Sequence, residues 1–173
     1  QNIANDVVVQ PGTGYLVANL AYRSTLDYNG FYISRDHGTT WTKSKPSGAI
    51  NPKEVGPSDM AYSADGKSLY IVMESTTGFD TKTSALAGVY SSKNGSPDGP
   101  WSQIADGSKL GNSGSALKTG GDHSYPVGVQ AWYNQFLGVD PADHDHVYVG
   151  LEEIFETRNA GTTWKTAGRY WDF

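Results

Sequence analysis

Short apolar segments recur along the chain and alternate with turns rich in Gly, Ser, Asn and Asp. Val7-Val8-Val9 leads through a turn over 10–14 into Tyr15-Leu16-Val17. Met60-Ala61-Tyr62 leads through 63–68 into Leu69-Tyr70-Ile71-Val72. Phe136-Leu137-Gly138-Val139 leads through 140–146 into Val147-Tyr148-Val149. A third segment follows each pair: Gly30-Phe31-Tyr32-Ile33, Gly88-Val89-Tyr90 and Ile154-Phe155-Glu156. A short fourth follows each closing tryptophan. The segments are short, β-branched and aromatic, and bounded by turn residues, so they predict strands. Four strands per unit of about 60 residues is the arithmetic of a β-propeller blade. The units divide the chain into blade one (about 1–46), blade two (about 56–106), a long loop (about 106–129) and blade three (about 130–173).

The turn before each fourth strand carries a repeated box. Residues 34–41 read Ser-Arg-Asp-His-Gly-Thr-Thr-Trp, and residues 157–164 read Thr-Arg-Asn-Ala-Gly-Thr-Thr-Trp. A stretched version, Ser-Ser-Lys-Asn-Gly-Ser-Pro-Asp-Gly-Pro-Trp, fills 91–101. Trp41, Trp101 and Trp164 close the boxes at spacings of 60 and 63 residues. Asp36 and Asn159 can accept bonds from turn N–H groups, and Ser34 and Thr157 can bond the backbone across the turn. Gly38 and Gly161 can take positive φ without steric cost. The indoles are expected to lie between neighbouring sheets.

These boxes resemble those of the Asp-box (BNR repeat) propellers, which include sialidases, xyloglucanase-type glycoside hydrolases, sortilin-like receptors and a photosystem assembly factor. The resemblance covers nearly the whole chain. It implies an all-β propeller of four-stranded antiparallel blades and leaves function open, because the motif is architectural. A sialidase of this group implies an arginine triad. Arg35 and Arg158 sit at variable box positions, which leaves Arg23 and Arg169, too few for one. Three blades also fall short of the 4–8 that usually close a ring. Further blades are expected from the same parent chain, from a second chain or from self-association.

Composition narrows the chemistry. The chain has 173 residues, 21 Gly, 11 Tyr, 5 Trp and no Cys. Disulfides, thiolate catalysis and Cys-ligated metals are therefore excluded. A net charge of −5 argues against nucleic acid or a membrane surface as partner. Few charges and many small hydroxylic residues suit a secreted protein, extracellular or periplasmic. Phosphate loops, nucleophile elbows and zinc motifs are missing, so no cofactor and no metal are expected. Asp143-His144-Asp145-His146 has ligand residue types, but its place after Asp140-Pro141 reads as turn chemistry.

Function is expected on the face opposite the boxes, where the long connections fall. One runs from about Glu74 to Ala87, the other from about Ala105 to Gln130. The second carries Asp122-His123 and enters 129–136, read here as the innermost strand of blade three. Counting from Tyr15, Tyr70 and Tyr148 aligns Asn19, Glu74 and Glu152 near the ends of the second strands. The candidate catalytic residues are Glu74, Asp122 and Glu152. Asp59, His123, Trp132, Tyr133, Asn134, Gln135 and Glu153 are the candidate substrate-binding residues. Aromatic platforms with amides and carboxylates suit sugars, and paired carboxylates suit glycoside hydrolysis. The expected ligand is a carbohydrate or, for a non-catalytic propeller, a glycan or protein.

Overall fold

The computed structural model describes residues 3–77, 85–119 and 126–170. Asp122 and His123 lie outside them. The chain is all-β, with three four-stranded antiparallel sheets in meander order, the partial ring of a β-propeller. Blade one holds β1 (Ala4–Val9), β2 (Leu16–Leu20), β3 (Gly30–Ser34) and β4 (Thr42–Lys43). Blade two holds β5 (Ser58–Tyr62), β6 (Leu69–Glu74), β7 (Leu86–Ser92) and β8 (Trp101–Ala105). Blade three holds β9 (Phe136–Asp140), β10 (Asp143–Gly150), β11 (Ile154–Thr157) and β12 (Lys165–Gly168). Among the described residues between blades two and three are three short helices, α1 (Gly107–Gly111), α2 (Ala116–Thr119) and α3 (Ala131–Asn134).

A single sheet cannot bury its own faces, so the core consists of two inter-blade layers. Val17, Phe31 and Ile33 of blade one pack on Met60, Leu69, Ile71, Met73 and Tyr90 of blade two. Tyr70, Val72 and Val89 on the reverse of blade two pack on Val147, Val149 and Phe155 of blade three, with Leu110 and Leu117 closing one end. Alternation explains this: neighbours in β6 point to opposite faces, so a strand buried along its whole length feeds both layers.

The box turns are held by their own side chains. Asp36 Oδ1 accepts from Thr40 N at 2.8 Å, and Asn159 Oδ1 accepts from Thr163 N at 2.8 Å. Ser34 Oγ and Thr157 Oγ1 accept from Gly38 N and Gly161 N at 2.8 and 2.9 Å. The Thr40 hydroxyl, donating to Asp36 Oδ2 at 2.6 Å, together with the Thr40 N–H and the Ser34 hydroxyl, holds the Asp36 carboxyl down at about 2. Both residues before the pair of threonines are left-handed: His37 and Gly38 in one box, Ala160 and Gly161 in the other. A Cβ on Gly161 would also press on Ile104 of blade two, so this glycine serves blade packing as well as the turn. Thr157→Val removes the acceptor for the buried Gly161 N–H without changing shape. It is expected to cost about 1–3 kcal/mol in urea unfolding, with the slope unchanged.

Three sequence expectations need correction. Trp101 is buried (2% exposed) against Phe31, and Trp164 packs on blade two, donating Nε1–H to Ile104 O at 3.2 Å. Trp41 does not lie between sheets: it is 40% exposed, and among the described residues no sheet packs on that side of blade one. Residues 129–135 are not strand. Gly128 takes positive φ, a turn follows, and 131–134 wind into α3 before β9 begins at Phe136. The turn expected over 140–146 is a tight one at Pro141-Ala142. Residues 144–146 belong to β10 and form a bulge where the register jumps from Asp143↔Asp140 to Val147↔Val139. His146 is buried there, with Nδ1 3.0 Å from Asp140 Oδ2 and Nε2 3.2 Å from Glu156 Oε1. His144 is exposed beside Asp145. Among the described residues, no three His, Asp or Glu side chains are grouped to hold a metal.

Candidate functional site

The second strands end on the face away from the boxes, and there the three aligned residues meet different fates. Asn19 is fully buried. Its Oδ1 accepts from Asn5 Nδ2 (2.9 Å) and Ser58 N (3.0 Å), and its Nδ2 donates to Gly56 O (3.3 Å). Asn19 thus ties the link between blades one and two. Glu152 Oε2 accepts from Gly128 N at 2.9 Å and Oε1 accepts from Gln130 N, so this carboxylate pins the turn that launches α3. Neighbouring Glu153 is buried and receives Ala116 N and Tyr170 N, both at 3.0 Å, on Oε1.

Glu74 differs. It ends β6, where a bulge shifts the pairing from Met73↔Gly88 to Glu74↔Leu86 and so re-aims the side chain. Its backbone is fixed: Glu74 N donates to Pro57 O at 2.8 Å, and a Cβ on Gly56 would collide with Glu74 O. The side chain is 1% exposed, yet Oε1 has no hydrogen-bond partner. Arg23 Nε stands 3.7 Å away, an ion-pair distance too long for a hydrogen bond. Burial outweighs this positive neighbour and pushes the Glu74 carboxyl up to about 7.

Glu74 lines a half-open cavity of about 350 Å³ with Asn5, Tyr22, Arg23, Pro57 and Trp132, beside Ile3 and Ala21. Arg23 stacks over the Trp132 ring at 4.4 Å and reaches Trp132 O at 3.4 Å. Trp132 in turn tilts against the exposed Tyr133 at 5.6 Å. Gln135 Nε2 donates to Pro57 O at 3.2 Å, behind the same wall. Asn134 Oδ1 and Gln135 Oε1 are buried without a hydrogen bond, like Glu74 Oε1.

The structure therefore brings Glu74 and Trp132 into one cavity, with Tyr133 against Trp132 and Gln135 against Pro57, while Asn134 follows on α3 outside the residues that line the cavity. Glu152 supports them from beneath α3, and Glu153 holds α2 and the end of blade three. Asp59 is apart: it sits inside β5, opposite Val72, where burial and the nearby Asp6 carboxylate raise it to about 6. Arg23, dismissed in the sequence for want of two partners, is the residue that sequence reasoning missed. Its place on the second-to-third strand connection of blade one was the available signal.

No family model matches the chain, and no curated protein matches it. Solved structures do. A GH74 enzyme from Niastella koreensis superposes with a TM-score of 0.58 at 19% identity, covering 94% of this chain and 22% of that one. An ancestral GH74 enzyme gives 0.55 at 13% identity, with 94% and 18% covered. The chain thus spans about a fifth of these neighbours, and the likeness is one of fold.

Proposed function

We propose that this chain is a carbohydrate-active propeller segment, and that the Arg23–Glu74–Trp132 cavity is its sugar site. The observation that carries the reading is a buried carboxyl with an unbonded oxygen on the wall of a cavity rimmed by aromatic rings. A sugar offers an apolar ring face and several hydroxyl donors. Trp132 supplies a stacking surface, and Glu74 Oε1 supplies an acceptor without a hydrogen bond on the cavity wall. Glu74 remains protonated up to about pH 7, so it can also give a proton to a leaving glycosidic oxygen. The likeness of fold to GH74 enzymes supports a glycoside-hydrolase-like role.

Hydrolysis needs a second carboxylate within about 5–10 Å. Among the described residues that line this cavity Glu74 is the one carboxylate, which leaves room for a second reading, a non-catalytic glycan-binding module. Calorimetric titration and a reducing-sugar assay over one panel of β-glucan, xylan and xyloglucan oligosaccharides separate the two. Turnover lost in Glu74→Gln with binding kept supports the hydrolase. Binding without turnover, weakened about 10-fold or more in Trp132→Ala, supports the module. No binding and no turnover across the panel removes the sugar reading altogether.

A further inference from the structure

Arg23 puts a positive charge on the wall of the Glu74 cavity. It follows β2 on the connection to β3, so chain order brings it to the face where the second strands end. Its guanidinium lies over the Trp132 ring at 4.4 Å, and Nη2 donates to Trp132 O at 3.4 Å. Trp132 thus holds the group twice, by its ring and by its backbone. The Glu152 carboxylate fixes the turn before α3, so the platform under Arg23 is itself anchored. A guanidinium kept in place in this way loses little freedom when it meets a planar anion.

Among the described residues that line the cavity, Arg23 is the one cation and Glu74 the one carboxyl group. Arg23 Nε stands 3.7 Å from Glu74 Oε1, and that oxygen has no hydrogen-bond partner. The two groups therefore share a wall without the forked, hydrogen-bonded pairing of a guanidinium with a carboxylate. Burial keeps Glu74 protonated up to about pH 7, so below that it sets no negative charge against an incoming anion. The cavity volume of about 350 Å³ falls in the range of small-ligand sites.

We propose that this site selects a glycan that bears a uronate carboxylate, and that Arg23 sets the preference. The proposal rests on the sugar reading of the cavity and names the class of sugar. A neutral sugar offers a guanidinium single hydroxyl oxygens. A uronate offers two coplanar oxygens that match its fork, and charge-assisted bonds of this kind are about twice as strong as neutral ones. The rest of the uronate is an ordinary sugar ring, with the same hydroxyl donors for Glu74 Oε1.

The test is calorimetric titration of the full chain at pH 6 with two matched pairs: tetragalacturonate against its methyl ester, and glucuronate-substituted xylotetraose against xylotetraose. Within at least one pair the acid is expected to bind about 10-fold or more tighter, and about 0.5 M NaCl should remove most of that difference. Arg23→Met keeps the apolar stem without the charge and should bring acid and neutral partner to parity. Arg23→Lys keeps the charge without the fork and should retain part of the preference. Circular dichroism checks that both variants fold. Equal binding within both pairs, or binding of neutral glycans alone, overturns the proposal and leaves the sugar reading standing. An acid preference that survives in Arg23→Met overturns it too. No binding to these four glycans or to the neutral panel removes both readings together.

Discussion

Glu74→Gln is expected to cut turnover by about 10²–10⁴ while making the protein more stable at pH 8. The two effects have one origin. The Glu74 carboxyl is raised from its ordinary 4.5 to about 7, because burial penalises the anion more than Arg23 favours it. Between these values the folded chain holds a proton that the unfolded chain has released. Stability therefore falls as pH rises through this window and levels off above pH 7. A shift of this size corresponds to about 3 kcal/mol. Gln keeps the neutral shape and cannot ionise, so the variant should lose most of that fall. Asp59, raised to about 6 by burial and by Asp6, has the same sign and should leave a smaller residual decline between about pH 4 and 6. Gln cannot donate the proton that a leaving oxygen needs, so kcat should drop by about 10²–10⁴ while binding changes little. Urea unfolding at pH 4, 6 and 8, paired with the hydrolysis assay, checks both halves. A variant less stable than wild type at pH 8, or with an unchanged pH slope, would show that Glu74 is not the group that titrates.

This trade-off marks Glu74 out from its two aligned counterparts, and it was invisible in the sequence. Strand positions and box turns could be read because their signals are local: alternation within a strand, and Ser-x-Asp-x-Gly spacing within one turn. Glu74 and Glu152 could be placed on one face by counting from Tyr70 and Tyr148. What could not be read was which backbone groups each carboxylate meets. Glu152 meets the N–H groups of Gly128 and Gln130, more than twenty residues away in the chain. That non-local cap also makes 129–135 a turn and a helix, against a local pattern of Val, Ala, Trp and Tyr that reads as strand. Trp41 shows the same limit. Its box is as good as that of Trp164, yet burial depends on whether a sheet lies beyond it.

Asn19→Ala should give the largest loss of stability of the three, about 2–4 kcal/mol. The side chain is fully buried and makes three hydrogen bonds. Its loss leaves Ser58 N without this acceptor at the start of β5, and leaves a small void between blades one and two. Gly56 O keeps the Ser58 hydroxyl at 3.0 Å and Asn5 keeps Ala21 O at 3.1 Å, which limits the cost. In a chain of this size the effect corresponds to a fall in Tm of roughly 5–15 °C. Asn19→Asp should not rescue it. An aspartate keeps the acceptor but loses the donor to Gly56 O, and it buries a charge that must be neutralised, so its deficit should grow as pH rises. Glu152→Ala should cost less stability, since its partners lie nearer the surface, but it frees α3 and should weaken sugar binding through Trp132. One register in three blades therefore yields three outcomes: instability at Asn19, a loosened platform at Glu152, and lost chemistry with gained stability at Glu74. Thermal melts and titrations on the three variants test that order. A melt in which Glu74→Gln falls as far as Asn19→Ala would mean that Glu74 braces its blade junction as Asn19 does, and would remove the reason to place chemistry there.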